Sequence, residues 1–445
     1  MNRWLKVAIG LFMGLILLAA FCLDLTYDKG MVESGMHKPT LARLDSILRN
    51  QLVASTDTLR VGWSRVNLTP DFTTSLAGYG ISEFDSVMDS VWVRAMVFDD
   101  GTKTVAIVSP DLLIFPPTVA DRIDQKLKLI GIDAAYYSAT HTHHSLGNWH
   151  PGLVGRLFAG PYREDVVKWL VERTMAALKK AKSNLKKSRI GFAAIQADDL
   201  VLNRLVPGKG SVDPWFRFMK IEQDSGDVAL LHSFSAHATT ISRQEKILHR
   251  DYPGFLTDAL EQNAEIDFAM FLAGAAGSMG PNGEAEGLAK GKNISNELAA
   301  QSDLILNILE PKYQTQLNYY QLDVDINEPQ LRISKGLRLR PWLFDLLFGE
   351  YEAKLHYLRI GQTILIGTPA DFSGELVAPH ERKARNSDMN LMITSFNGDY
   401  IGYITKDEWY NLDAYETKTM NWFGPGNEEY FSLLIKRMLT VEDSI

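Results

Sequence analysis

Three of the ten histidines in this sequence lie within four residues of one another, at His141, His143 and His144. The apolar, β-prone segment 134–139 precedes them, and side chains two residues apart on a strand point to the same face. His141 and His143 can therefore bind one metal ion, since neutral imidazole is the commonest zinc ligand and a catalytic zinc takes about three protein ligands. The alternative is a polar strand end whose histidines are hydrogen-bonded or solvated. His144, on the opposite face, is expected to pack or to support the ligands.

Two other places put a metal-ligating side chain at the end of an apolar run. His237 follows the strand-like segment 231–236, and Glu375 lies in the first turn of a helix expected after the strand-like segment 364–366. An acidic residue in a first helical turn is also ordinary compensation of the helix dipole. The single cysteine, Cys22, lies in an N-terminal apolar run, so neither an internal disulfide nor a cysteine-based zinc site is available. A metal bound by this chain would use histidine and carboxylate ligands.

Length and composition describe a large globular protein. The chain has 445 residues, 46% of them hydrophobic, which is enough for one large domain or two fused domains with a substantial core. The net charge of -8 is spread along the chain, and no basic stripe is present. This pattern argues against nucleic acid as the main partner. The sequence does not indicate an oligomeric state.

The N-terminus contains a targeting or anchoring segment. Arg3 and Lys6 precede an apolar run at 7–23, which as a helix would be about 25 Å long, close to the ~30 Å of a hydrocarbon core. The inside-positive bias places the rest of the chain outside the cytoplasm, in the periplasm or the extracellular space. We expect an uncleaved anchor, with a cleaved signal and a secreted protein as the alternative. We assign residues 1–23 to this segment, 24–57 to a stalk or linker and 58–445 to the main folded domain.

The remaining sequence alternates between strand and helix patterns. The turn at 99–102 joins two strands, and helical apolar periodicity is clear at 118–129 and 164–178. Strand patterns recur at 217–221, 228–235, 268–272, 318–326 and 355–366. The expected fold is mixed α/β (α+β), a large single domain around a mixed, partly antiparallel sheet.

Several motifs, in order along the chain, resemble the neutral/alkaline (non-lysosomal) ceramidase family. Segment 139–143 (Ala-Thr-His-Thr-His) is similar to the family's metal-binding strand, and the similarity extends from about Gly62 to Trp422. The other matching segments are 77–80, 94–98, 203–204 with 212–214, 234–237, 374–376 and 402–416. Each motif alone is short, but these six occur in register with segment 139–143.

The resemblance implies a zinc amidohydrolase. It implies that Zn²⁺ is held by His141, His143, His237, Glu375 and Tyr415. The implied reaction cleaves the N-acyl amide bond of ceramide, or of a related N-acyl lipid, to a fatty acid and an amine such as a sphingoid base. The implied partners are this lipid-like substrate and a membrane surface. The alternatives are a zinc hydrolase of the same fold acting on another amide or ester, and a catalytically silent surface binding protein stabilised by its metal.

The resemblance identifies the catalytic groups other than the metal less directly. The family's Gly-Asp-Val-Ser-Pro-Asn loop corresponds to 277–282, where Gly280 replaces the serine and Ser278 replaces the aspartate. Since zinc can activate water and polarise a carbonyl, hydrolysis needs no serine nucleophile, and the loop lacks Gly-x-Ser-x-Gly spacing. We expect Ser278, Arg204 and Tyr403 to contact the substrate or its oxyanion.

One further stretch bears on the membrane. Arg338 and Arg340 stand beside the very apolar, aromatic helix-like segment 341–348. This composition suits a helix lying in a membrane interface, although a core helix is the alternative.

Overall fold

The computed structural model describes residues 3–50, 57–80, 82–349 and 351–440. Its α-helices are α1 (Arg3–Cys22), α2 (His37–Arg49), α3 (Pro117–Leu127), α4 (Leu153–Ala159), α5 (Glu164–Ser183), α6 (Asp251–Glu261), α7 (Gly287–Leu306), α8 (Pro341–Phe348), α9 (Val377–Asn386) and α10 (Asn427–Leu439). Its β-strands are β1 (Leu23–Leu25), β2 (Arg60–Asn67), β3 (Ser86–Val87), β4 (Trp92–Asp99), β5 (Thr104–Pro110), β6 (Ala134–Tyr137), β7 (Lys186–Gln196), β8 (Val201–Asn203), β9 (Trp215–Gln223), β10 (Val228–Phe234), β11 (Ile247–Leu248), β12 (Phe268–Ala273), β13 (Met279–Pro281), β14 (Lys312–Tyr313), β15 (Leu317–Asp323), β16 (Leu337–Leu339), β17 (Lys354–Ile360), β18 (Thr363–Gly367), β19 (Asp371–Phe372), β20 (Asn390–Thr394) and β21 (Tyr403–Ile404).

A mixed sheet of nine described strands forms the centre of the molecule. Its order is β12-β10-β9-β7-β2-β4-β5-β6, with β14 paired to β7. The β5–β6 and β10–β12 pairs are parallel, and the other neighbours are antiparallel. Side chains alternate between two cores: Val93 and Val97 of β4 face one, whereas Met96 and Phe98 face the other. Since both faces are apolar, both must be covered.

A second sheet covers one of these faces. Its four strands run β15-β17-β18-β20, and Leu358 and Leu365 pack in one cluster with Phe98 and Ile107 of the large sheet. Helices α3, α5, α6 and α7 pack on the outer face of the large sheet, and α2, α9 and α10 pack on the outer face of the small one. This helix–sheet–sheet–helix sandwich confirms the expected mixed α/β class with a partly antiparallel sheet core.

The segment 355–366, predicted as one strand, is instead a hairpin. β17 and β18 pair antiparallel, with Ile360 opposite Thr363. The chain reverses at Gly361, whose φ of +59° is a conformation that glycine adopts without a Cβ clash. Both strands of the hairpin are buried, and the turn between them is marked in the sequence only by the short break Gly361-Gln362.

Residues 24–50, predicted as part of a stalk, are packed onto the domain. β1 pairs antiparallel with β16, and Leu44 of α2 is buried in the core under the small sheet. Thr40 is also buried, and its Oγ1 accepts a hydrogen bond from the Tyr430 hydroxyl at 2.8 Å. The apolar face of this amphipathic helix therefore has a partner in α10, which a solvated stalk would lack. Residues 51–56 lie outside the described residues.

Helix α1 stands apart from these layers. It has 20 residues, a mean hydropathy of 2.4 over its most apolar window, and none of its side chains is buried. At about 1.5 Å per residue it is about 30 Å long, the thickness of a hydrocarbon core. Its length and composition therefore suit either a membrane-spanning anchor or a signal sequence.

Candidate metal centre and active-site cavity

The candidate ligands follow strands whose C-terminal ends meet at one place. The Ala273 amide at the end of β12 donates to Ala139 O beyond β6 at 3.0 Å. The Gly274 amide donates to Phe234 O at the end of β10 at 3.1 Å, and the Ser395 amide beyond β20 donates to Ala273 O at 3.1 Å. Loops that leave these ends therefore converge on one site. His141 and His143 lie in such a loop, after β6 has ended at Tyr137, and not on the strand that the sequence predicts.

The three imidazoles of His141, His143 and His237 form the cluster. One ring nitrogen from each lies within 4.8 Å of those of the other two, and Nε2 of His141 is 2.8 Å from Nε2 of His237. His141 Nδ1 lies 2.6 Å from Leu113 O, and His237 Nδ1 lies 3.1 Å from Ala276 O. Since a carbonyl oxygen only accepts, both Nδ1 atoms carry the proton and both Nε2 atoms present lone pairs to each other.

The electrostatics of the cluster favour neutral imidazole. Burial lowers the pKa of His141 to about 3, and it lowers the pKa of His143 and of His237 well below the ordinary value. The positive charge of Arg204 acts in the same direction on all three. Among the described residues, neither ring nitrogen of His143 has a hydrogen-bond partner. The lone pairs of His141 and His237 converge, protonation of all three rings is disfavoured, and the buried ring of His143 lacks a partner. These features fit a bound cation such as Zn²⁺.

A carboxylate that the sequence interpretation missed, Asp371, faces the cluster. Its Oδ1 is 3.8 Å from Nε2 of both His141 and His237, and this oxygen has no hydrogen-bond partner in the part of the chain that the structure describes. Its Oδ2 accepts a hydrogen bond from the Tyr400 hydroxyl at 2.6 Å. Burial raises the pKa of Asp371 to about 7, so the isolated carboxylate is costly and a cation beside it would offset that cost.

Glu375 and Tyr415, the other two ligands implied by the resemblance, are placed differently. Glu375 does not line the cavity described below; its Oε1 accepts from Trp409 Nε1 at 3.4 Å. It lies in the first turn before α9, where its amide donates to the Ser373 hydroxyl. Tyr415 does line the cavity, although half of its surface is exposed.

The three predicted catalytic residues are only partly brought together. Tyr403 lines the cavity, and its hydroxyl accepts a hydrogen bond from Arg204 Nη2 at 3.0 Å. Arg204 is held by an ion pair with Glu416 at 3.0 Å and by the carbonyl of Gly277 at 3.3 Å. Ser278 is fully buried, faces the hydroxyl of Ser373, and does not line the cavity.

A cavity of about 560 Å³ opens beside the cluster. The three histidines and Asp371 contribute to its wall. Most of its other lining is apolar or aromatic: Leu113, Ile114, Pro117, Trp149, Val154, Phe158, Phe348, Tyr351, Tyr400, Met420 and Trp422. Asp121, Glu352 and Asp399 are acidic residues in the same lining. A polar centre beside an apolar cavity of this size suits a substrate with a long apolar portion.

Register explains why Asp371 and Tyr403 meet. β19 and β21 pair in parallel with Asp371 opposite Tyr403, and β19 follows β18 after a short loop. The signal in the sequence is the acidic residue five positions after the buried segment 364–366, and four positions before Glu375. Phe396, whose ring stacks on His141 at 3.9 Å, gave no comparable signal.

Comparison with known proteins supports the resemblance seen in the sequence. Residues 60–297, more than half of the chain, match the family model described as neutral/alkaline non-lysosomal ceramidase, N-terminal. The fold is similar to a crystal structure of neutral ceramidase from Pseudomonas aeruginosa, with a TM-score of 0.72 and 16% identity over 87% of this chain and 75% of that one. A structure described as ceramidase complexed with C2 gives the same TM-score and identity over 87% of this chain and 76% of that one. No relative was found among proteins with a curated function. The chain belongs to the neutral/alkaline non-lysosomal ceramidase family.

Proposed function

We propose that this protein is a zinc-dependent amidohydrolase that cleaves the N-acyl amide bond of ceramide or a related N-acyl lipid. The observation that carries the proposal is the cluster of three neutral, converging imidazoles beside a largely apolar cavity of about 560 Å³, in a chain of the ceramidase family. The products would be a fatty acid and an amine such as a sphingoid base. We further propose that α1 anchors the protein and that its catalytic domain lies outside the cytoplasm.

The metal would be held by His141, His143 and His237, with Asp371 in the carboxylate role that the resemblance implied for Glu375. The position of Asp371 supports this choice, since its Oδ1 lies 3.8 Å from Nε2 of both His141 and His237 and it lines the cavity. Asp371 Oδ1, both ring nitrogens of His143 and Glu375 Oε2 all lack a partner in the described chain, but Glu375 does not line the cavity. Tyr415, in the cavity wall, remains a candidate fifth ligand. Zinc, when bound, supplies Lewis acidity that polarises a carbonyl and lowers the pKa of water to about 7.

Tyr403 and Arg204 would stabilise the charge that develops on the amide oxygen. Because Arg204 donates to the Tyr403 hydroxyl oxygen, the tyrosine proton goes to another acceptor: the Asp371 carboxylate faces this hydroxyl, and a substrate oxygen would compete for the proton. Burial holds the pKa of Tyr403 well above its ordinary value, so the hydroxyl stays protonated as a donor. The guanidinium behind it strengthens this donation, since charged partners polarise a hydrogen bond.

The apolar walls would bind the lipid chains and exclude water. Trp149, Phe158 and Trp422 offer aromatic surface on the cavity wall, and Tyr400 joins the wall to the metal site through Asp371. An apolar substrate gains by burying its chains against these rings, which leaves its amide beside the polar centre.

Metal analysis together with an assay of labelled ceramide tests the proposal. Purified full-length protein should contain close to one zinc per chain, and chelation should remove hydrolysis that zinc restores. Turnover only on other amides or esters would favour the alternative substrate. Zinc without any turnover would favour a binding protein, and stoichiometric iron or no metal would contradict the assignment.

The histidines can be tested separately. His141→Ala and His237→Ala should each lose most of the metal and nearly all turnover. His144→Ala is the matched control, because His144 Nε2 lies 3.2 Å from Ser242 O and His144 is outside the three-histidine cluster. Equal metal loss in the control would contradict the choice of ligands.

A further inference from the structure

Helix α1 joins the folded domain without a flexible linker. β1 follows Cys22 directly and pairs with β16. Arg340 fastens the junction twice, since its amide donates to Cys22 O at 2.9 Å and its Nε donates to Leu23 O at 3.0 Å. In the last turn of α1, the ring of Phe21 contacts Trp342 of α8, with centroids 4.9 Å apart. The start of α8 is therefore held at the point where α1 ends.

Helices α8 and α4 contact each other and expose large apolar side chains. On α8, Trp342 is 43% exposed and Leu346 is 64% exposed. On α4, Leu153 is 59% exposed and Leu157 is 60% exposed. The hairpin at 333–337, which leads into α8, adds two more exposed apolar side chains, Ile333 and Leu337. Neighbouring exposed apolar groups of this kind mark an interaction surface.

The same two helices line the active-site cavity. Val154 and Phe158 of α4 and Phe348 of α8 are in its wall. Their contact is close: a Cβ atom at Gly152, before α4, would lie 3.7 Å from Phe348 O at the end of α8. Each helix thus turns apolar side chains both to the cavity and to the outside.

We propose that α4, α8 and the 333–337 hairpin form a docking face that rests on the leaflet from which α1 emerges, so that a lipid enters the cavity between α4 and α8 without crossing water. The entry of substrate rests on the proposed function. The occupant of the face is a phospholipid bilayer, because α1 is apolar, uncovered and fastened to β16 beside α8. An exposed tryptophan next to the end of a spanning helix also suits the membrane interface.

Depth-dependent quenching tests the docking face directly. Full-length protein carrying Cys22→Ser and one new cysteine, Leu157→Cys or Leu346→Cys, is labelled with a polarity-sensitive fluorophore and placed in phosphatidylcholine nanodiscs. Lipids with brominated acyl chains should quench both labels. Leu304→Cys on α7 is the control, since Leu304 is 72% exposed and should not be quenched. The proposal is overturned if the labels at 157 and 346 are quenched no more than the control label. The same result is expected if protein, and not lipid, covers these two positions, and it overturns the proposal equally.

Turnover provides the second test. The double variant Leu157→Glu/Leu346→Glu should hydrolyse ceramide in phosphatidylcholine vesicles at least tenfold more slowly, while its turnover of a water-soluble short-chain N-acyl substrate stays within twofold. The control pair is Leu304→Glu/Ile308→Glu, at residues that are 72% and 73% exposed, and it should change neither rate. Equal losses for the two pairs overturn the proposal. If neither substrate is hydrolysed by the wild type, the proposed function fails, and the quenching result alone decides the docking face.

Discussion

Gly78 lies directly against the imidazole of His143, so that a Cβ atom at residue 78 would come within 2.4 Å of Nδ1. Within the described ranges neither ring nitrogen of His143 has a hydrogen-bond partner, and packing against Gly78 and Tyr79 therefore holds the ring. We predict that Gly78→Ala displaces this ring and lowers zinc affinity by about 10- to 100-fold, the range found when groups that support metal ligands are disturbed. Competition with a chromogenic chelator measures the change.

Gly80 provides the control for backbone strain. Its φ of +99° matches the +97° of Gly78, but a Cβ atom there would meet nothing closer than Leu157 O at 3.5 Å. Gly80→Ala should therefore destabilise the protein by a similar strain while keeping its zinc affinity. The same loss of affinity in both variants would show that strain in the loop, and not contact with His143, was responsible.

The two candidate carboxylates give opposite expectations for metal content. Asp371→Asn should lose most of the zinc and nearly all hydrolysis, because Asp371 Oδ1 lies 3.8 Å from Nε2 of both His141 and His237. Glu375→Gln should retain zinc, since Glu375 does not line the cavity and its Oε1 faces Trp409. Metal analysis of the two purified variants shows which carboxylate binds zinc. Loss of zinc in Glu375→Gln, with zinc retained in Asp371→Asn, would support Glu375 as the ligand that the resemblance implies.

The sequence predicts many of the individual strands and two of the helices better than the chemistry of the site. The spacing of apolar residues that predicts a strand or a helix is a local property of the sequence. Most of the larger strands and the helices α3 and α5 therefore lie close to their predicted positions. The meeting of Asp371 with Tyr403 depends on β19 pairing with β21, a contact between distant parts of the chain. The loop conformation of His141, with φ of +64°, is similarly imposed by tertiary contacts and is unusual for a residue with a side chain.

Removing the Tyr403 hydroxyl should affect catalysis more than metal binding. We predict that Tyr403→Phe lowers kcat by about 10²- to 10³-fold, the cost of one oxyanion donor, while zinc content stays close to that of the wild type. The experiment compares kcat and KM on labelled ceramide with the metal content of the same sample. Loss of zinc in parallel with activity would instead assign Tyr403 to the metal.

Stability towards acid should depend on His232, a core residue of β10 outside the site. Burial between aromatic rings lowers its pKa to about 3 in the folded protein, against about 6.5 when the chain is unfolded. Below pH 6.5 only the unfolded chain gains this proton, so the free energy of unfolding falls by about 1.4 kcal/mol per pH unit until about pH 3. His232→Leu should remove that part of the slope in urea unfolding between pH 6.5 and 4.5.

The control for this measurement is Phe271→Leu, at the ring that lies 5.4 Å from His232. It should lower stability by a similar amount at every pH, because it removes packing and no titrating group. Unchanged pH dependence in His232→Leu would mean that other groups account for the acid sensitivity.

The role of Ser278 distinguishes covalent hydrolysis from metal-assisted hydrolysis. Its side chain is fully buried against the Ser373 hydroxyl and does not line the cavity, so no substrate carbonyl can reach it without rearrangement. Ser278→Ala should lose one buried hydrogen bond, about 1 kcal/mol of stability, and keep turnover within about tenfold of the wild type. Rapid quench followed by mass spectrometry should find no acyl group on residue 278. An acyl-enzyme trapped on Ser278, with turnover abolished in a fully metallated alanine variant, would establish a serine nucleophile.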